Sequence, residues 1–211
     1  MLVEELDKEL YEYICSIKDY GLLKKIELIF EAKGKLELYA HSQMVAQNCT
    51  KIAKQYSLSI EKCVMAAYCH DVSQVFNPID VLNYFDRENL YVDTSERKKP
   101  FLLHQRCSSI FINENLCIED SSILDAVECH TTLKANPSEY DLALFIADKL
   151  SWGMTEQSPF YNEVIKGLGI SLSHAAYAYI NYMIKNDKLL ERHIWLDEAK
   201  EWLEKMIGLS K

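Results

Sequence analysis

The chain has little glycine and proline, six and four residues among 211. An all-β fold needs many tight turns, and this supply is too small to make them. Cysteine occurs seven times, at 15, 49, 63, 69, 107, 117 and 129, but never as a CxxC pair, and the number is odd. That pattern argues against a disulfide framework and for a reducing cytosol. Long hydrophobic runs are missing too: Leu142–Ala147 extends six residues before Asp148 interrupts it, well short of a membrane span. Positive charge is also scarce. With 23 Lys and Arg against 32 Asp and Glu, the net charge is −9, so there is no electrostatic footprint for a nucleic-acid duplex or an anionic membrane. The first ten residues are acidic and amphipathic, unlike a secretory signal.

What remains is a chain with 49% hydrophobic and 26% charged residues, ordinary for a globular protein, and long enough for one sizeable core. A single domain over 1–211 is the natural expectation. Apolar positions recur with a helical period almost throughout. Leu2, Leu6, Leu10, Tyr13 and Ile14 mark one amphipathic helix ending near Gly21, and Leu22–Ala32 a second. A third runs from His41 to about Tyr56, and a fourth follows Ser59 and ends near His70-Asp71. Asn77-Pro78 breaks that helix, and residues 79–90 form a short one. The charged run Asp93–Lys99 reads as a solvated loop, free to act as a flap. Further helices are expected over Phe101–Asn113, Asp120–His130, Asp141–Leu150, Ser173–Ile184 and Trp195–Ile207. The fold class is all-α.

Polar ionisable groups interrupt these apolar helices repeatedly. His41 shares a face with Val45 and Cys49, His104 with Ser108 and Phe111, and His130 continues the Ile123–Val127 stripe. Asp148 ends the apolar string LALFIA. Taken singly, a core histidine bonded to a carbonyl explains His104, and a carboxylate capping a helix is the plain alternative for Asp148. Together with His70 and Asp71, however, they make six such groups. Burying each neutral polar group unpaired costs about 2–7 kcal/mol, and a carboxylate more. A metal ion, or two, is the cheapest shared partner for imidazoles and carboxylates. Cys69 and Cys129 each precede a key histidine, but helix neighbours diverge by about 100°, so both read as packing residues. His174 and His193 fall outside the set; His174 begins an apolar helix, and His193 follows Glu191-Arg192 in a charged turn.

The adjacent His70-Asp71 is the distinctive element. With His41 before it and Asp148 after it, the order resembles the HD-domain superfamily of metal-dependent phosphohydrolases, which are all-helical. Two further histidines, His104 and His130, resemble its dinuclear branch, and the strings YAHSQMVAQ, AAYCHDVSQ, LLHQRCS, ILDAVECHTT and LALFIADKL resemble the YqeK-type members, which are similar to symmetrical dinucleoside tetraphosphatases. The likeness covers roughly residues 30–185, leaving 1–30 and 186–211 as accessory helices that could serve a dimer as readily as a monomer. It implies one metal on His41, His70, Asp71 and Asp148, and a second on His104 and His130 with Asp71 bridging. His70 and Asp71 are then the catalytic pair. The ions implied are divalent or trivalent transition metals, iron foremost, with manganese or a similar ion also fitting mixed imidazole and carboxylate ligands. The reaction implied is phosphoanhydride or phosphoester hydrolysis by a metal-bound hydroxide, on a nucleotide or dinucleoside polyphosphate in the cytoplasm.

The surroundings depart from that pattern. Gln74 stands where such proteins usually carry a lysine, Gln105-Arg106 replaces a glycine-containing stretch, and Leu150-Ser151-Trp152 replaces Ile-Glu-Pro. Thr131 and Thr132 match the family's Thr-Thr. Arg106, Lys134 and Lys149 are the cations nearest the set in sequence and so the candidates to meet phosphate, although each could equally be a solvated charge. Trp152 and Tyr161 could stack on a nucleobase. The alternative to an enzyme is a metal-containing, nucleotide-binding regulatory module with weak turnover, because glutamine supplies no charge at position 74.

Overall fold

The computed structural model describes residues 1–151 and 159–209. Among them thirteen α-helices follow one another, with no strand: α1 Leu2–Leu6, α2 Lys8–Ser16, α3 Leu22–Ala32, α4 Leu36–Tyr56, α5 Ile60–Cys69, α6 Pro78–Arg87, α7 Thr94–Lys98, α8 His104–Leu116, α9 Ser121–Cys129, α10 Glu139–Lys149, α11 Tyr161–Leu168, α12 Leu172–Lys185 and α13 Ile194–Met206. Short 3₁₀ turns, Val72–Val75 and Pro100–Leu103, follow α5 and precede α8. None of the helices is long and apolar enough to cross a membrane.

The middle of the fold is α5 against α4, α9 and α10. Small residues make this close packing feasible: Cys63, Ala66, Ala67 and Cys69 are the buried positions of α5. Helix α10 is buried on every face from Asp141 to Lys149, which explains its unbroken apolar stretch Leu142–Ala147. Around this centre Phe30, Phe85, Phe111 and Phe145 are fully buried. Leu2 and Val3 are also fully buried, and α1 packs on α6 and α8.

Three local readings are corrected. The first expected helix is two, because Asp7 takes an extended conformation and its side chain accepts the Leu10 amide, capping α2. Helix α4 starts at Leu36, so His41 lies in its second turn rather than at its start. The charged run at 93–99 is not a solvated loop. Asp93 and Glu96 form a reciprocal capping box that starts α7, with Ser95 and Glu96 buried.

Helix α11 gave no sequence signal strong enough to predict it. It packs on α12 through Gly167, where an added Cβ would lie 2.6 Å from Ala175 Cα and 2.7 Å from its amide nitrogen. Those are backbone atoms that no side-chain rotation can relieve. Gly167→Ala is therefore expected to destabilise by about 1–3 kcal/mol through overpacking, at roughly 2–4 °C in Tm per kcal/mol. A thermal melt unchanged from wild type would show that the two helices separate freely.

Candidate metal centre

One local device aims three of the histidines. His70 and His130 each stand immediately after the last residue of a helix, α5 and α9, and His104 follows the Pro100–Leu103 turn. A helix end leaves its last carbonyls without intrahelical partners. Each ring takes one: His70 Nδ1 donates to Ala67 O at 2.7 Å, His104 Nδ1 to Phe101 O at 2.7 Å and His130 Nδ1 to Val127 O at 2.8 Å. A carbonyl only accepts, so Nδ1 carries the proton and Nε2 is turned inward. Fixing the tautomer of a ligating histidine in this way is the usual second-layer support of a metal site.

The inward atoms converge on Asp71. Its Oδ2 is 3.2 Å from His70 Nε2, and its Oδ1 is 3.3 Å from His104 Nε2 and 3.4 Å from His130 Nε2. The two Nε2 atoms of His104 and His130 are 3.1 Å apart. On the far side, Asp148 Oδ1 lies 3.0 Å from His41 Nε2 and 3.8 Å from His70 Nε2. Two sets of donor atoms are close enough to hold a cation, His41–His70–Asp71 and Asp71–His104–His130, and they share Asp71. Each of the six residues is at most 7% exposed.

These residues fit a metal on their own chemistry. His70 Nε2 and Asp71 Oδ1 are buried without a hydrogen-bond partner. Buried polar atoms of that kind are rare and costly, and here several lone pairs face one another. A cation would resolve the arrangement. Electrostatics point the same way. Burial raises the Asp71 carboxyl, but His70 first, and then the neighbouring His104 and His130 rings, hold it well below the usual range. Burial likewise raises Asp148, while the Lys149 ammonium and then His41 hold it far below. His130 is pushed down to about 4, first by burial and then by its histidine neighbours against the opposing pull of Asp71. His70 is lowered by burial, yet Asp71 carries it up to about 9, so a bound ion would take that proton's place.

A cleft of about 340 Å³ opens over Asp71, His104, His130 and Asp148, and its remaining wall is Gln74, Phe101, Thr131 and Lys149. Lys149 is 7% exposed and donates to Asp148 Oδ2 at 2.8 Å and to His130 O at 3.2 Å. Its ammonium lies 5.0 Å from the Phe145 ring and 5.9 Å from that of Tyr179. It is a fixed cation rather than a solvated one. Thr131 Oγ1 sits 3.2 Å from His104 Nε2.

Other candidates from the sequence lie elsewhere. Arg106 donates to Tyr91 O and to the buried carboxylate of Glu96, beneath the Phe85 and Trp195 rings. Lys134 reaches Asp125 at 3.4 Å and Asp141 at 3.9 Å. Thr132 is buried against Gln105, and none of these three lines the cleft. Tyr161 lines a separate hollow with Asn48, Lys51 and Gln55, and Trp152 lies outside the described residues.

Sequence reasoning missed three residues. Gln105 is fully buried; its Oε1 accepts the Thr131 and Thr132 amides at 3.0 and 3.2 Å, and its Nε2 donates to Thr132 Oγ1, tying the turn after His130 to α8. Ser73 donates from Oγ to His104 O and from its amide to Ser108 Oγ, anchoring the turn after the His-Asp pair to the same helix. His193 is buried and caps α13, its Nε2 3.6 Å from Glu96 Oε1. No local pattern announces any of them.

Buried histidines and aspartates gathered in an all-helical fold suit one class of protein, the metal-dependent hydrolases. Within that class, the HD-domain family model matches residues 38–153, more than half the chain. This chain belongs to the HD-domain family of hydrolases. It is 37% identical over 151 residues to an uncharacterized protein in the pepC 5' region of Lactococcus lactis subsp. cremoris, covering 72% of this chain and 77% of that one. It is 30% identical over 110 residues to a symmetrical bis(5'-nucleosyl)-tetraphosphatase of Halalkalibacterium halodurans, 52% of this chain and 58% of the relative. The fold matches the crystal structure of a predicted HD superfamily hydrolase involved in NAD metabolism from Clostridium acetobutylicum. There the TM-score is 0.76 at 22% identity, over 87% of this chain and 97% of the other.

Proposed function

We propose that this chain hydrolyses a phosphoanhydride bond in a nucleotide or dinucleoside polyphosphate, as one domain whose terminal helices are accessory. The observation that carries the reading is the pair of donor sets sharing Asp71 beneath an open cleft. His41, His70, Asp71 and Asp148 would hold one ion, and Asp71, His104 and His130 the other, with iron or manganese suited to such donors. Bound there, two ions supply Lewis-acid polarisation of a phosphoryl oxygen and a nucleophilic water at neutral pH. The protein does the rest. Lys149, held between Asp148 and two aromatic rings, presents fixed positive charge where negative charge grows. Thr131 Oγ1 offers a neutral hydrogen bond from the cleft wall.

The tetraphosphatase relative supports the choice of substrate class. A panel of dinucleoside tetraphosphate, nucleoside di- and triphosphates and simple phosphoesters, followed by chromatography, tests it. Release of two nucleoside diphosphates from the dinucleoside tetraphosphate is expected. The regulatory alternative draws on the uncharged Gln74; tight nucleotide binding with no product across the panel would favour it and overturn hydrolysis.

A further inference from the structure

A second hollow, of about 430 Å³, adjoins the metal cleft, and the two share Gln74, Phe101 and His104. Its walls include Phe76, Val81 and Pro100, with Lys35 at the edge. Phe101 is 41% exposed, and its ring stacks on His104 with centroids 4.6 Å apart and planes 29° from parallel. The position of that ring is tied to the metal ligand itself, because His104 Nδ1 bonds to the Phe101 carbonyl. Two polar groups here are uncommitted. Among the described residues, Lys35 has no carboxylate within ion-pair distance and the Gln74 side chain makes no hydrogen bond.

A hollow with a partly apolar wall, an exposed aromatic ring, an unengaged amide and one cation suits a heteroaromatic ring carried on a phosphate. We infer that this hollow is the nucleobase subsite. The base of the nucleotide stacks on Phe101, the Gln74 amide meets its polar edge or ribose, and Lys35 pairs with phosphate charge that the metal centre does not hold. This rests on the phosphohydrolase reading of the adjoining cleft. It also places a positive charge in the same hollow as Gln74, contributed by the segment between α3 and α4.

Calorimetric titration of the full-length, metal-containing protein with AMP, ADP and ribose 5-phosphate tests the assignment. Wild type is expected to bind AMP about tenfold more tightly than ribose 5-phosphate, the scale of one base–aromatic stack. Phe101→Ala should collapse that preference and Phe101→Trp should keep it, while Lys35→Ala should weaken ADP about tenfold and flatten its salt dependence. A base preference that survives in Phe101→Ala, or its absence from wild type, would overturn the subsite. The two readings fail separately: Phe101-dependent AMP binding by a protein that hydrolyses nothing removes the hydrolase and leaves the subsite standing. Hydrolysis of a dinucleoside tetraphosphate with no Phe101-dependent preference does the reverse.

Discussion

Replacing Asp71 by asparagine is expected to lower kcat/KM for the polyphosphate substrate by on the order of 10³-fold or more, a loss of several kcal/mol of transition-state stabilisation. Asp71 is the residue both donor sets share, so a neutral amide there weakens both at once. Its two oxygens face three histidine nitrogens within 3.2–3.4 Å. His104→Ala should behave differently. It removes one ligand of one set and leaves His41, His70, Asp71 and Asp148 in place, so about half the bound metal should remain while turnover still falls. Steady-state kinetics with metal content measured on the same preparations separates the two. If Asp71→Asn kept wild-type turnover, the shared-carboxylate account would fail.

The second large effect is on stability. Arg106→Ala should lower the unfolding free energy by about 3–5 kcal/mol, the usual penalty for breaking a buried ion pair and leaving one charge behind. Glu96 has no solvent exposure, and Arg106 Nη1 holds its Oε2 at 3.0 Å. Burial raises the Glu96 carboxyl, but His193 and then Arg106 bring it below its ordinary value. The sign follows directly. A carboxylate with a depressed folded pKa contributes stability that is full above its unfolded value of about 4.3 and is lost as pH falls through the folded value. Glu96→Gln should therefore flatten the acid side of the stability curve. Joint replacement by Arg106→Met and Glu96→Leu should restore much of the melting temperature, since an apolar pair of similar volume removes the orphaned charge. Urea melts of the three variants check this. A rise in substrate KM for Arg106→Ala with no change in stability would instead return Arg106 to the role of a phosphate contact.

That ionic node shows where sequence reading ends. Asp93–Lys99 looks like a solvated run because its charges balance only across the fold, Glu96 with Arg106 on α8 and with His193, which caps α13. Lys134 and Lys149 are equally plain cations in sequence, yet one is engaged by Asp125 and Asp141 on the outside of the site and the other is buried in its wall. Sequence separation from a ligand did not tell the two apart. That these six residues gather was legible for a physical reason: ionisable groups on apolar helical faces are exceptions that demand a partner, and they recur in order. The carbonyl contacts that aim His70, His104 and His130 were not, because any residue supplies a backbone carbonyl. Helices with strong apolar periods, α4, α9 and α12, and the apolar run of α10 were readable, whereas α11 depends on a glycine pressed against Ala175.

Metal analysis of protein purified without chelator is the most direct test of the central assignment. Two transition-metal ions per chain are expected, falling toward zero in Asp71→Asn. A wild-type protein that carries none and takes up none from iron or manganese solutions would contradict it.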